Sequence, residues 1–220
     1  MKNTKNTHFA SLIALGLCLF NTPTHAGRPL AVDDANVNAA GAGHVEVWVV
    51  RDGAKTNTWN LAPAFAPVDG VEIGVGFAKA RKIGHVEQAI QTKWRITPSQ
   101  ENGCNFASTL GTVHEKNVGN SPYLVGIMTC NAAAGSVHIN LTRHKPKDEK
   151  SFNSWGVAFE RPMGSITPHI EVFADQGMKP TVQIGAKTDI ADGLQLDTTI
   201  GRERQNSGMV CKSQPCDGLI

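Results

Sequence analysis

The chain has 220 residues, enough for one domain or at most two. Lys2 and Lys5 precede any acidic residue, and without them basic and acidic residues are equal in number, which excludes the basic excess of a nucleic-acid binder. After the first 26 residues no run approaches the roughly 18 consecutive apolar residues of a membrane helix, so a helical anchor is not expected there.

Residues 1–26 have the layout of a secretory signal. Lys2 and Lys5 give a positive start, an apolar run follows from Leu12 to Phe20, and Thr24-His25-Ala26 has small residues at its first and third places. Cleavage is expected after Ala26. Residues 27–43 are expected as an N-terminal extension. Asp33 and Asp34 within it raise the options of a cation site or a plug, and the plainer expectation is a loosely held terminus.

From residue 44 onward a period of two replaces any helical period. Val45, Val47 and Val49 alternate with His44, Glu46 and Trp48. A second strand is expected near 56–65. In the third, Val71, Ile73, Val75 and Phe77 alternate with Glu72, Gly74 and Gly76. The fourth sets Val86, Ile90, Thr92 and Trp94 against Glu87, Gln91, Lys93 and Arg95. Strands near 104–113 and 123–130 alternate poorly but lie between turns at the same spacing. Val137, Ile139 and Leu141 alternate with His138 and Asn140, and Trp155, Val157 and Phe159 with Gly156, Ala158 and Glu160. Ile166, Ile170 and Val172 oppose Thr167, His169 and Glu171. The last two predicted strands set Val182, Ile184 and Ala186 against Gln183, Gly185 and Lys187, and Leu194, Leu196 and Ile200 against Gln195, Asp197 and Thr199.

The connections fall into two alternating sets. One is compact and ends in Gly, as in P-V-D-G from Pro67, R-P-M-G from Arg161 and A-D-G from Ala191. The other is charged, as in R-D-G-A-K-T-N from Arg51 and R-H-K-P-K-D-E-K from Arg143. Alternating connections of two kinds, strands of about ten residues and an export signal predict an all-β, antiparallel, up-and-down transmembrane β-barrel. About 12 strands are expected over 44–208, the last one degraded, with 209–220 a divergent tail. In that fold the apolar face meets lipid and the polar face lines the lumen.

Several strings resemble a family of outer-membrane barrel proteins labelled transporter-like, with a remote link to barrels of aromatic-compound degradation pathways. They are R-P-L-A-V-D-D-A from Arg28, G-A-G-H-V-E-V-W from Gly41, W-R-I-T-P-S-Q-E-N-G-C-N-F from Trp94 and V-Q-I-G-A-K-T from Val182. The resemblance covers about 28–201. It implies a membrane location more than an activity. Two features depart from that pattern: the end M-V-C-K-S-Q-P-C-D-G-L-I contains Pro215 and does not finish on an aromatic residue, and Tyr123 is the only tyrosine available to an aromatic girdle.

The expected lumen residues are Glu46, Glu72, Glu87, Lys93, Arg95, His138, Glu160, His169, Glu171, Lys187 and Asp197. They read equally as a selectivity constriction or as a charge network filling a narrow interior. His44, His85, His138 and His169 are expected as hydrogen-bonded lumen histidines. Cys104 and Cys130 lie symmetrically about Asn117, so an antiparallel hairpin sets them opposite each other, and a disulfide is expected. No zinc-type spacing and no G-x-S-x-G motif occurs; Ser136 and His138 on one strand are too weak a signal for an enzyme. No catalytic residue, metal or cofactor is expected. Lys79, Arg81, Lys82, Arg143, Lys145, Lys147 and Lys150 are expected at one rim.

The expected protein is thus an outer-membrane barrel of a Gram-negative-type cell, admitting a small solute. Its partners would be outer-membrane lipid and, during insertion, the barrel-assembly machinery, with no nucleic acid. The alternatives are a non-conducting structural barrel, or a soluble periplasmic barrel holding an apolar ligand.

Overall fold

The computed structural model describes residues 31–51, 57–80 and 86–203. The expected signal segment, the twelfth strand and the divergent tail lie outside the described residues, as does His85.

Eleven antiparallel strands form one sheet in strict chain order. They are β1 (Gly43–Arg51), β2 (Asn57–Val68), β3 (Val71–Ala80), β4 (Val86–Arg95), β5 (Gly103–Glu115), β6 (Gly119–Ala132), β7 (Gly135–His144), β8 (Phe152–Glu160), β9 (Ile166–Asp175), β10 (Thr181–Ala191) and β11 (Leu194–Glu203). Every strand pairs with its neighbour in sequence, so the meander read from the turn spacing is correct. Among the described residues β1 and β11 are the two edges, and the sheet is open.

Period-two alternation carries directly into burial. On β3, Glu72, Gly74, Gly76, Ala78 and Ala80 are buried, while Ile73 and Phe77 are exposed. On β7, His138, Asn140 and Thr142 are buried and Leu141 is exposed. Buried positions on these two strands are therefore polar or small, and large apolar side chains such as Val47, Ile90, Leu141 and Ile184 stand outside.

β5 and β6 explain their poor alternation. Ala107, Tyr123, Val125 and Ile127 all face inward and bury, while Phe106, Leu110 and Leu124 face outward. Both faces of β6 are apolar, so no period stands out. The inward residues pack on Ala35 as a small apolar cluster inside an otherwise polar interior. Tyr123 is thus an interior residue and no part of a girdle. Trp48 shares the inward register of His44 and Glu46, which leaves Trp59 and Trp155 as exposed outer tryptophans.

Connections at one end include the two-residue turns Asp69-Gly70, Ala133-Ala134 and Asp192-Gly193. Gly70 and Gly193 adopt positive φ of 76° and 70° there, a conformation that penalises a Cβ. The connection after β4 is an exception: it is a longer loop, held because the Asn105 amide grips both backbone polar groups of Gln100.

Cys104 and Cys130 are direct register partners and are disulfide-bonded, with Cα atoms 4.0 Å apart. Asn117 sits in the β5–β6 turn at φ 74°.

Candidate functional site

The polar face encloses an irregular segment, residues 31–42, that enters ahead of β1. The expectation of a loosely held terminus is wrong for it. Val32 and Ala35 are fully buried. The reason is chemical: the backbone N–H groups of the segment meet acceptors on strands far apart in sequence. Val32 N–H donates to Glu171 Oε2 on β9 at 3.0 Å. Asp33 N–H donates to Asn140 Oδ1 on β7, and the Asn140 side-chain amide donates back to the Asp33 carbonyl at 2.8 Å. Ala35 N–H donates to Thr129 Oγ1 on β6 at 2.8 Å. Asn38 N–H and its side-chain amide both donate to Glu72 Oε2 on β3, at 3.1 and 2.6 Å.

Side chains complete the seat. Lys93 Nζ on β4 lies 2.9 Å from Asp33 Oδ1 and 3.7 Å from Asp34 Oδ1. Val32 packs over Gly156 on β8, where an added Cβ would come within 2.6 Å of the Val32 methyl. β4 and β7 are three strands apart, about 14 Å along a flat sheet. Asp33 bonds to both, so the segment lies across the strands between them. The segment then leaves at the turn end, where Gly41 N–H donates to the Ala66 carbonyl and Ala66 N–H to the Ala42 carbonyl.

Two polar relays lead from this seat toward the later strands. Thr129 Oγ1, which accepts from Ala35, also lies 2.9 Å from His138 Nδ1. A hydroxyl both accepts and donates, so this fits the tautomer with the His138 proton on Nε2. Nε2 faces Glu160 Oε1 at 3.6 Å, and Glu160 Oε2 pairs with Lys187 Nζ at 2.5 Å, across β9. In the second relay Glu171 Oε1 accepts from the Gln183 amide at 2.6 Å. His169 Nε2 lies 3.1 Å from Asp197 Oδ1 on β11. His169 crosses β10 over Gly185, where a Cβ would lie 2.6 Å from the imidazole. Tyr123 uses the same device on the other side: its ring crosses Gly111 on β5 and its hydroxyl donates to Gln91 on β4 at 2.7 Å.

The expected lumen residues separate into groups. Glu72, Lys93 and Glu171 hold the segment. His138, Glu160 and Lys187 form one group, and His169 and Asp197 a separate pair, with His169 Nδ1 3.9 Å from Glu171 Oε1. Glu46 faces inward near the sheet edge, 3.8 Å from His44. Glu87 is buried on β4 toward the charged-loop end. Arg95 lies apart at the turn end, where it pairs with Asp69 at 2.6 Å. Ser136 donates to Asn131 at 2.8 Å. Arg143 faces outward and donates to Asn153, while Arg81 and Lys82 lie outside the described residues. Among the described residues no group of three or more His, Cys, Asp or Glu is arranged to hold a metal ion.

Sequence reasoning missed Asn140 and Thr129 as site residues. Their one signal is inward register on a strand, and nothing in the chain pairs them with Asp33 or Ala35 beforehand.

A family model described as Uncharacterised conserved protein UCP029691 matches residues 14–209. The chain belongs to this family. The match takes in the segment at 31–42 and all eleven strands. No curated protein and no solved structure matches the chain.

Proposed function

We propose that the protein is an outer-membrane β-barrel, closed at rest by its own residues 32–38, and that a small solute passes only through the space this segment fills. The observation that carries the reading is the inverted burial. Glu171, Lys93, His138 and His169 are inside, while Val47, Ile90, Leu141 and Ile184 are between 54% and 65% exposed. A protein surrounded by water buries the opposite set, because apolar area removed from water stabilises it by about 25 cal/mol per Å². In a bilayer the outer apolar face costs nothing, and the polar groups require partners inside.

Further support comes from dimensions and chemistry. Strands of about ten residues, tilted near 45°, cover roughly the 25 Å apolar band of an outer membrane. A soluble barrel with an apolar ligand needs Val, Ile and Leu across the enclosed face, where the chain has Glu, Asn, Thr and His beside one small cluster at Val125 and Ile127. Closure of β1 on a twelfth strand after β11 belongs to the same proposal, since an unpaired edge is costly in lipid.

A second reading, a non-conducting structural barrel, is favoured by one observation. The two inward lysines are already paired, Lys93 with Asp33 and Lys187 with Glu160, which leaves the space occupied and those cations neutralised. Envelope fractionation with heat-dependent gel mobility tests the membrane reading: a heat-modifiable band in the outer membrane is expected, and a soluble periplasmic monomer defeats it. Conductance of the purified protein in a planar bilayer, before and after removal of residues 32–38, then separates passage from structure.

A further inference from the structure

The seat of residues 32–38 has the features of a recognition site. Four strands present side-chain acceptors to backbone N–H groups: Glu171, Asn140, Thr129 and Glu72. Asn140 also donates to a backbone carbonyl. This is peptide backbone read by side chains. Ordinary sheet or turn closure would use backbone partners instead. Two further elements select sequence. Lys93 meets an acidic pair. Gly156 leaves a space that Val32 fills.

We infer that this seat is a peptide-binding site for a short acidic segment, a small apolar residue followed by two acids and an Ala, and that Val32-Asp33-Asp34-Ala35 is its resident occupant. The inference rests on the inward polar face being the functional one. It adds the class of molecule that face recognises. An incoming acidic peptide competes with the tethered segment for the same acceptors and for Lys93. The tether keeps the resident at high effective concentration, so the site is autoinhibited until the tether yields. Polar contacts lead on from the seat, from Thr129 to His138, which faces Glu160 on β8 at 3.6 Å, and from Glu171 to Gln183 on β10, so a change of occupant would first reach His138 and Gln183.

The test uses the full chain with a protease site inserted among Ala39, Ala40 and Gly41, all three exposed. The protein folds with its segment in place and is cut afterwards, which separates folding from binding. A fluorescent peptide A-V-D-D-A-N-V-N is then offered in detergent and its anisotropy followed. Binding to the cut protein and none to the uncut one is expected. A peptide with Asn at both Asp positions should bind about tenfold more weakly, the loss of one charge-assisted contact. A peptide with Trp in place of its first Val, the counterpart of Val32, is expected not to bind. No exchange after cutting overturns the inference, because the segment is then a permanent part of the fold. Equal binding of the Asn peptide, or binding to the uncut protein, also overturns it. Lys93→Gln in the same cut protein should abolish the difference between the Asp and Asn peptides. Fractionation decides the membrane reading separately: a soluble protein that still exchanges peptide would lose the first proposal and keep this one.

Discussion

Asn140 holds both backbone polar groups of Asp33, accepting from its N–H and donating to its carbonyl. The two residues are 107 apart in sequence, and the contact is largely removed from water. An amide is the one neutral side chain that offers an acceptor and a donor in one plane at that spacing. Asn140→Asp keeps the acceptor, loses the donor and sets a negative charge against the Asp33 carbonyl. Asn140→Ala removes both bonds. A buried group left without its partner costs about 1–3 kcal/mol. Both variants should therefore release residues 31–42 to protease while the heat-modifiable band persists, with Asn140→Asp the more affected. Limited proteolysis followed by mass measurement reads this.

Lys93 and Asp33 form an ion pair that is mostly buried. Removing one member of such a pair costs about 3–5 kcal/mol, because the other charge stays buried without compensation. Lys93→Met should lower the unfolding midpoint in urea more than Asp33→Asn does, since Met removes the contacts of Lys93 to both Asp33 and Asp34. The double variant should be closer to wild type than the sum of the singles. Additive effects would mean that the two side chains do not act on each other.

Gly111 and Tyr123 test the packing. A Cβ at residue 111 would lie within 2.5 Å of the Tyr123 ring, so Gly111→Ala drives the phenol off Gln91. Overpacking of this kind costs about 1–3 kcal/mol. Tyr123→Phe loses only the hydrogen bond, about 1 kcal/mol. Gly111→Ala combined with Tyr123→Leu should cost less than the two changes separately, because the smaller side chain makes room. Gly185→Ala has no such rescue: its Cβ would meet the Thr198 carbonyl of the backbone as well as His169. Thermal gel-shift curves of the five variants, Tyr123→Leu alone among them, compare them.

These pairs also show how far the sequence could be read. The strands were legible because a period of two is local; each strand states its own faces through its own residues. The inward Glu, Lys and His positions followed from that period. What they touch did not. Glu72, Lys93, Thr129, Asn140 and Glu171 sit on five different strands, and their shared partner is a stretch with no period at all. The partner contributes mainly backbone N–H groups, which every residue has. The β5–β6 face was hidden for another reason: Val125 and Ile127 pack on Ala35 inside, so apolar residues occupy both faces. The Cys104–Cys130 pairing was legible because a hairpin fixes register arithmetically about its turn.

That disulfide closes a loop with a sequence separation of 26. Loop-closure entropy alone gives about 3–4 kcal/mol for a loop of that size. The measured value should be smaller, because hairpin pairing already holds the two strands together. Cys104→Ser with Cys130→Ser should still yield a folded protein with a lower urea midpoint. The wild-type band should shift on a denaturing gel when reduced, and in a variant carrying Cys211→Ser and Cys216→Ser maleimide should label Cys104 only after reduction, as Cys104 faces outward and is exposed.

The lipid-facing reading makes a prediction about charge with depth. Ile90 and Ile170 lie at mid-strand on β4 and β9 and are exposed, at 55% and 44%. In water, replacing an exposed Ile with Arg changes stability by no more than about 0.5 kcal/mol. At the midplane of an outer membrane the same change costs about 2–4 kcal/mol, and near the interface about 0–1. Val68, at the end of β2 and 56% exposed, supplies the shallow comparison. Folding into phospholipid vesicles should therefore be weakened strongly by Ile90→Arg and Ile170→Arg and weakly by Val68→Arg. Equal and small effects at all three positions would place the apolar face in water and remove the membrane from the account. The same Arg series read in detergent micelles controls for packing, because a clash between neighbouring outer side chains would persist there while a bilayer penalty would shrink.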